Sequence, residues 1–555
     1  MTGLDWAVFT LYVVLILMVG LYQSRKSSGI EGYFLGNRSL SWGLIGLSVM
    51  ATQASAITFI GTTGQSYGYG MKFVQVYLPQ PLVMVVLCVL FVPFFYRRKI
   101  YTAYEFLEQR FDARTRSLTS FLFLVSRGLA AGIVLYAPAV VLSVLMGWDE
   151  RVTVLIMGAV TILYTAAGGI TAVIWTDVLQ MLLMFGGIGA ALLTLFGELP
   201  PQVGVADVFY IGGIEEMWKS VDLSPDPRET YTLWSGLVGG FFLALAYFGC
   251  DQSQVQRYLT AKSLTQSRLA LLFNAFLKVP MQIFILAIGV LLFVFYHFEQ
   301  PPLIFNPAEE AQVRQSGRGP AFEELERDYR DLHSLRREAT LDLLRVRREG
   351  GDLESGRARI RQYHDEMEAL RGRSKVLVET VQGRSSTDVN YVFPSYLVQY
   401  VPAGILGLMI AVIFAAAMSS LDSELTALSS ATVMDFYRRY LVRGASTRHY
   451  LWAARLTTLA WGVLATGVAL YVGQQEASLL ELVNKVGSYF YGSLLGVFLL
   501  AFLAPWATAR GAFWGLILGM VSVWAVSEFT SLSFLYYNVV GCLTVVAAAF
   551  VLKRR

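Results

Sequence analysis

Charge is scarce in this chain. Only 15% of its 555 residues are Asp, Glu, Lys or Arg, while 55% are hydrophobic and 14% aromatic; an ordinary soluble domain carries about a quarter charged residues. A soluble chain of this length folds as roughly three to five domains, each needing a polar surface, and this composition cannot supply them. The mean hydropathy of +0.53 agrees. Net charge is only +4, so no broad basic field exists to attract phosphates, and no nucleic-acid partner is expected. Cysteine and histidine are equally sparse. Cys88, Cys250 and Cys542 lie in apolar runs without metal-ligand or disulfide spacing and read as small buried hydrophobes. His297, His333, His364 and His449 fall at the edges of apolar runs or in polar stretches, which argues against intramembrane haem ligation and against zinc chemistry. An enzyme is not expected. Gly64-Gln65-Ser66-Tyr67-Gly68 fits the G-x-S-x-G nucleophile pattern, but it lies between apolar runs, without the strand–turn–helix context or a nearby histidine that the chemistry needs.

What the chain has is long apolar runs. A bilayer core of about 30 Å takes about 20 helical residues. Thirteen runs qualify: 5–22, 41–62, 71–97, 118–147, 152–168, 172–196, 233–257, 270–297, 403–436, 449–473, 479–504, 511–528 and 533–552. The first has no basic residues before it and no small-residue cleavage pattern after it, so it reads as a retained helix. Alternate short loops carry twenty basic residues, among them Arg25, Lys26, Arg97, Arg98, Lys99, Arg438, Arg439 and Lys553; the opposite loops carry three, Arg151, Lys219 and Arg228. The positive-inside rule makes the first set cytoplasmic. The expected location is a bacterial inner (plasma) membrane, with the N-terminus outside and the C-terminus inside.

One block is different. Residues 299–392 hold 34 of the 84 charged residues. They read as an external antiparallel helical hairpin turning at Gly350-Gly351. Its alternating acids and bases suit a solvated face, with contact to another protein as a second reading.

Ionisable residues within spans are expensive and mark function by default. The main cases here are Arg127, Asp177, Asp251, Asp422, Glu424 and Lys485. The competing reading is a structural ion pair, for example Arg127 with Asp177. Arg257 and Asp435 fall where the cytoplasmic boundary is expected. The second span carries a small, polar middle, Ala51-Thr52-Gln53-Ala54-Ser55-Ala56, where backbone can leave the helix if protein or ligand satisfies it. In the ninth span Ala416, Ser419, Ser420 and Ser423 share one helical face. Hydroxyls there, Asp422, and freed carbonyls near Ala51 and Ala54 are hard oxygen donors suited to Na⁺.

Five stretches carry a resemblance: YFLGNRSLSW (33–42), ATQASAITFIG (51–61), GGITAVIWTDVLQ (168–180), DQSQVQRYLTAKS (251–263) and AAAMSSLDSELTALSSATVMDFY (415–437). With them the chain resembles the sodium:solute symporter family, which includes the sodium–glucose cotransporters. The resemblance implies an all-α membrane protein with a LeuT-type fold of two inverted five-helix repeats. Repeat one would span 41–196 and repeat two 233–504. Residues 1–40 would form an N-terminal helix and cytoplasmic loop, 197–232 an external loop, and 505–555 two C-terminal helices. The family's principal sodium site maps onto Ala51, Ala54, Ala416, Ser419 and Ser420. A second sodium in some members maps onto Asp177, Ser419, Asp422 and Ser423, with Asp422 standing where a serine is known. The substrate cavity maps onto Gln53, Thr58, Gln75, Tyr77, Asp251, Gln252, Asn484 and Lys485. Tyr77 replaces a sugar-binding acid, and a sugar-binding lysine of the eighth span has no counterpart near position 285. The implied function is sodium-coupled import of a small polar solute (a sugar, sialic acid or another carboxylate), with Na⁺ as coupling ion. A proton-coupled symporter or a transporter-like sensor of the same fold is the alternative.

Overall fold

The computed structural model describes residues 1–25, 29–383, 386, 388–472 and 479–554, without the side chains of 472, 479–486 and 554. It is helical throughout. Apart from one isolated bridge between Leu40 and Ala261, the described residues form no strand. The helices used below are α1 (Gly3–Ser24), α2 (Trp42–Gln53), α3 (Ala56–Tyr69), α4 (Gln80–Val86), α5 (Ala113–Met146), α6 (Glu150–Gly197), α7 (Val205–Ile214), α8 (Phe241–Cys250), α9 (Gln252–Tyr258), α10 (Leu264–Phe298), α11 (Gly319–Glu349), α12 (Glu354–Gln382), α13 (Ile405–Ala431), α14 (Thr447–Val472) and α15 (Leu479–Leu503). Two more, Ala509–Phe529 and Tyr537–Val551, follow.

Among the described residues, nine helices are long and apolar enough to cross a membrane. They account for ten of the thirteen apolar runs, because α6 joins the fifth and sixth. The other runs fail the length criterion for identifiable reasons. The second is cut after Gln53: Ala54 leaves the helix (φ −87, ψ 59), and Ser55, extended, restarts it by accepting the Thr58 N–H. The seventh is cut at Asp251 (φ −81, ψ 122), whose carboxylate accepts the Ser253 N–H at 2.8 Å. A capping side chain satisfies the orphan amides of the restarted helix in both cases. The eleventh lies partly outside the described residues. α6 is itself bent at Gly169 (φ 61, ψ −165), where a Cβ would meet the Tyr33 carbonyl oxygen at 2.5 Å. Only glycine adopts that backbone without strain.

α13 is the central helix. It packs against α1, α5, α6 and α14, and all its residues but Ile405 and Leu408 are buried. Its N-terminus is capped from α1: the Asp5 carboxylate accepts the Gly404 and Gly407 N–H groups at 2.7 and 2.9 Å.

α11 and α12 form a hairpin turning at Gly350, which is left-handed (φ 79). Its inner stripe is not a solvated face. Phe322, Leu325, Tyr329, Met367, Leu370 and Val378 pack with Leu303, Ile304 and Val313 in a separate core, and Ala339, Leu343 and Ile360 join Ile214 of α7 in another. Basic side chains tie the hairpin down. Arg347 and Arg348 hold Asp207 at 3.1 and 3.0 Å, Arg361 bonds the Ile214 carbonyl at 3.1 Å, and Arg371 pairs with buried Asp388 at 2.9 Å. The alternating charges therefore divide into an outward set and a set that grips the body.

Candidate ion and solute site

The break in α2 frees backbone carbonyls, and α13 brings hydroxyls to them. Ser419 Oγ donates to the Ala51 carbonyl at 3.2 Å, and Ser420 Oγ to the Thr52 carbonyl at 3.0 Å. Both also reach the Ala416 carbonyl, at 3.2 and 3.3 Å. Three carbonyls and two hydroxyls thus converge, all from buried residues. Ala54 sits at the break, its N–H bonded to the Met50 and Ala51 carbonyls. Neutral hard oxygens in this number suit Na⁺. Thr52 was not among the expected residues, although a helix end exposes a run of carbonyls and not one or two.

The set expected to hold a second ion is arranged differently. Arg257, expected at the cytoplasmic boundary, is fully buried. Its guanidinium donates to Ser48 at 2.9 Å, pairs with Asp177 at 3.2 Å, and bonds Ser423 Oγ and the Ser253 carbonyl. Ser48 Oγ also donates to Asp177 at 2.6 Å. The partner of Asp177 is therefore Arg257, not Arg127. Asp422 accepts the Tyr164 hydroxyl at 2.6 Å and Ser423 Oγ at 3.1 Å. Of the four residues named for that ion, two are engaged by a fixed arginine. Asp435, also read as a boundary residue, is buried against Arg116, Thr102 and Ser120 at 2.5–2.8 Å.

Beside the sodium oxygens lies a cavity of about 190 Å³. Gln53, Ser55 and Thr58 line it from the α2–α3 break, Arg127 from α5, Lys278 from α10, Glu424 from α13, and Tyr77, Tyr247 and Tyr491 complete much of the wall. Thr52 and Ser420 border both the cavity and the ion oxygens. Of the expected solute residues, Gln53, Thr58 and Tyr77 are in place. Asp251 lies behind the wall, paired with Arg127 and accepting the Tyr491 hydroxyl at 2.9 Å. Two others are elsewhere. Gln75 is buried as an amide bridge, donating to the Lys72 and Tyr231 carbonyls and accepting the Asp222 N–H at 2.9–3.1 Å. Gln252 does the same for the Tyr101 carbonyl and the Ala103 N–H, both at 2.9 Å. Each satisfies backbone that no helix would satisfy. The side chains of Asn484 and Lys485 lie outside the described residues.

Three charged residues, Arg127, Lys278 and Glu424, line the cavity without being among the solute residues expected from the sequence. Lys278 is about two turns before position 285, where a lysine was sought. Its Nζ lies 3.4 Å from the Gln53 carbonyl oxygen and 5.7 Å from the Tyr77 ring centroid. From the sequence Glu424 reads as an intramembrane charge only. Its place at i+4 from Ser420 puts it on the same face of α13, and that spacing was the available signal. Arg127 Nη1 pairs with Glu424 Oε1 at 2.9 Å, under the Tyr247 and Tyr491 rings.

The profile of the sodium:solute symporter family matches residues 33–314 and 372–519. The chain belongs to the sodium:solute symporter family. It is accordingly an integral membrane transporter and not an enzyme, with Na⁺ as its coupling ion and a small molecule as its solute. It is 27% identical over 552 residues to the sodium/sialic acid symporter SiaT of Proteus mirabilis, covering 98% of this chain and 94% of that one. It is 27% identical over 527 residues to the human sodium-coupled monocarboxylate transporter 1, covering 94% and 72%. A solved Na⁺-coupled sialic acid symporter, substrate-bound and outward-open, superposes with a TM-score of 0.78 at 25% identity, covering 100% of this chain and 98% of that one. The family match omits most of the α11–α12 hairpin.

Proposed function

We propose that this symporter imports a small polar organic solute across a bacterial inner membrane by alternating access. One Na⁺ binds at Ala51, Ala54, Ala416, Ser419 and Ser420, bridges the two halves of the fold, and completes the solute cavity. The observation that carries this reading is the shared wall: Ser420 reaches the α2 carbonyls and also lines the cavity. An ion pulling α13 and the broken end of α2 together therefore also shapes the solute site. Gln53, Thr58 and Lys278 meet the solute, and Arg257 takes the place of a second ion beside Asp177. The helix breaks at Ala54–Ser55 and at Asp251 support a pairing of inverted repeats over 41–196 and 233–504, within thirteen spans. The basic loops support an external N-terminus and a cytoplasmic C-terminus. One charge moved down 100 mV supplies about 2.3 kcal/mol, enough for nearly two decades of accumulation at about 1.4 kcal/mol per decade.

The test is uptake into proteoliposomes by the Ser419→Ala/Ser420→Ala double variant. The expected result is loss of sodium-dependent uptake at unchanged expression. Unaltered sodium dependence would sink the assignment.

A further inference from the structure

We propose that the transported solute is a zwitterion, with its anionic group at Lys278 and its cationic group at Glu424; this rests on the symport reading of the same cavity. Among the described residues, four acidic or basic side chains stand at or just behind the cavity wall, two of each sign: Arg127, Lys278, Asp251 and Glu424. They are not evenly paired. Arg127 serves both carboxylates, so that cluster carries a net single negative charge. Lys278 stands on a different wall, on α10 beside the α2 break, and among the described residues it has no carboxylate partner; its contacts are the Gln53 carbonyl and the Tyr77 ring. By the described residues the cavity is therefore bipolar, with one uncompensated formal charge of each sign.

Unmet hydrogen bonds point the same way. Glu424 Oε2 and Gln53 Oε1 are buried acceptors with no donor among the described residues, and both residues line the cavity. A buried acceptor without a donor is costly, and more so when charged. A monoanionic solute would satisfy Lys278 but set its own acceptors against these. A neutral polyol would supply donors and leave Lys278 desolvated without a counter-charge. A cationic solute would do the reverse. A carboxylate at Lys278 with an ammonium at Glu424 answers both poles, and the matching of opposite potentials is what discriminates among solutes of one size.

The full chain in proteoliposomes on a solid-supported membrane reports this through solute-evoked, sodium-dependent currents. The panel is the twenty amino acids, β-alanine, taurine and glycine betaine, set against propionate, pyruvate, N-acetylneuraminate, propylamine and hexoses. At least one zwitterion should evoke current at a concentration ten-fold or more below that of its deaminated analogue. Glu424→Gln should erase that ten-fold preference, and Lys278→Gln should weaken the zwitterion without admitting the amine. Sodium-induced thermal shifts retained by both variants show that they fold and bind the ion. Currents from anions or hexoses with the zwitterions silent would overturn the proposal while leaving sodium symport intact. Silence of all zwitterions would overturn it too. Loss of the sodium-induced shift in the parent protein would strike the symport reading itself.

Discussion

The hairpin α11–α12 should loosen from the transporter body as pH falls from neutral toward 5. α10 ends near the hairpin, and its last carbonyls have no partner within the helix. Two hairpin side chains supply donors. Arg336 Nη2 donates to the Tyr296 carbonyl at 2.7 Å, and His333 Nε2 lies 3.2 Å from the same oxygen. His333 is 3% exposed. Burial, with Arg336 and Arg337 adding like charge, pushes its pKa down to about 4. The docked histidine is therefore neutral, with its Nε2–H donated. A histidine whose folded pKa is lowered contributes no penalty above its free value of about 6.5. Its proton then costs docking free energy as pH falls, until the folded pKa is reached. At about 1.36 kcal/mol per pH unit, the descent from 6.5 to 5 weakens docking by about 2 kcal/mol, roughly thirty-fold in the equilibrium. His364 on α12, also lowered by burial and by Arg336, adds in the same direction. Glu215 at the end of α7, raised by burial, works against it, but only between its raised value and the ordinary carboxylate value just below.

Hydrogen–deuterium exchange of peptides from 319–382, corrected for intrinsic rates, reads the opening equilibrium at pH 7.5 and 5.0. Opening should increase by about thirty-fold if His333 dominates. His333→Gln keeps an N–H donor for the Tyr296 carbonyl and should remove most of the dependence. A hairpin that opens equally at both pH values refutes the reasoning, as does a variant with the parent's slope.

Gly64→Ala should destabilise the protein by about 2–3 kcal/mol through overpacking, because a Cβ there would lie 2.0 Å from the Val389 carbonyl oxygen, a backbone atom just after the hairpin; an unchanged melting temperature refutes the contact. With Arg257 already neutralising Asp177, flux ratios should give one sodium per solute, and a ratio of two would mean that an ion shares that site. Arg257→Gln should leave Asp177 as an uncompensated buried carboxylate and cost about 3–5 kcal/mol, read as lost thermal stability in detergent; a variant as stable as its parent would mean that the pair is not needed.

The helices were legible because apolar length is a one-dimensional signal. The α2 break was legible as well, since Ala51–Ala56 cannot form a comfortable mid-bilayer helix. The break at Asp251 was not, because one acid in an apolar run can be a capping residue, an ion-pair partner or a ligand, and the run alone does not distinguish them. The hairpin turn at Gly350 followed from a glycine pair, but its grip on the body did not. Arg347, Arg348 and Arg361 differ from their solvated neighbours only in which side of a helix meets α7.

Side-chain pairing marks the same boundary inside the membrane. Six intramembrane charges are named from the sequence, Lys278 not among them, but pairing depends on which helices cross, and sequence distance says nothing of that. Arg257 shows this best: six residues beyond the break at Asp251, it belongs to a short helix, α9, that turns into the protein. A continuous seventh span would have carried it to the surface. The restart of that helix is thus what delivers a guanidinium to Asp177. The same break puts Asp251 next to Arg127, which then has two carboxylates to serve. A single departure from helix, fixed by one capping carboxylate, thus sets the formal charge of the Arg127–Glu424 wall.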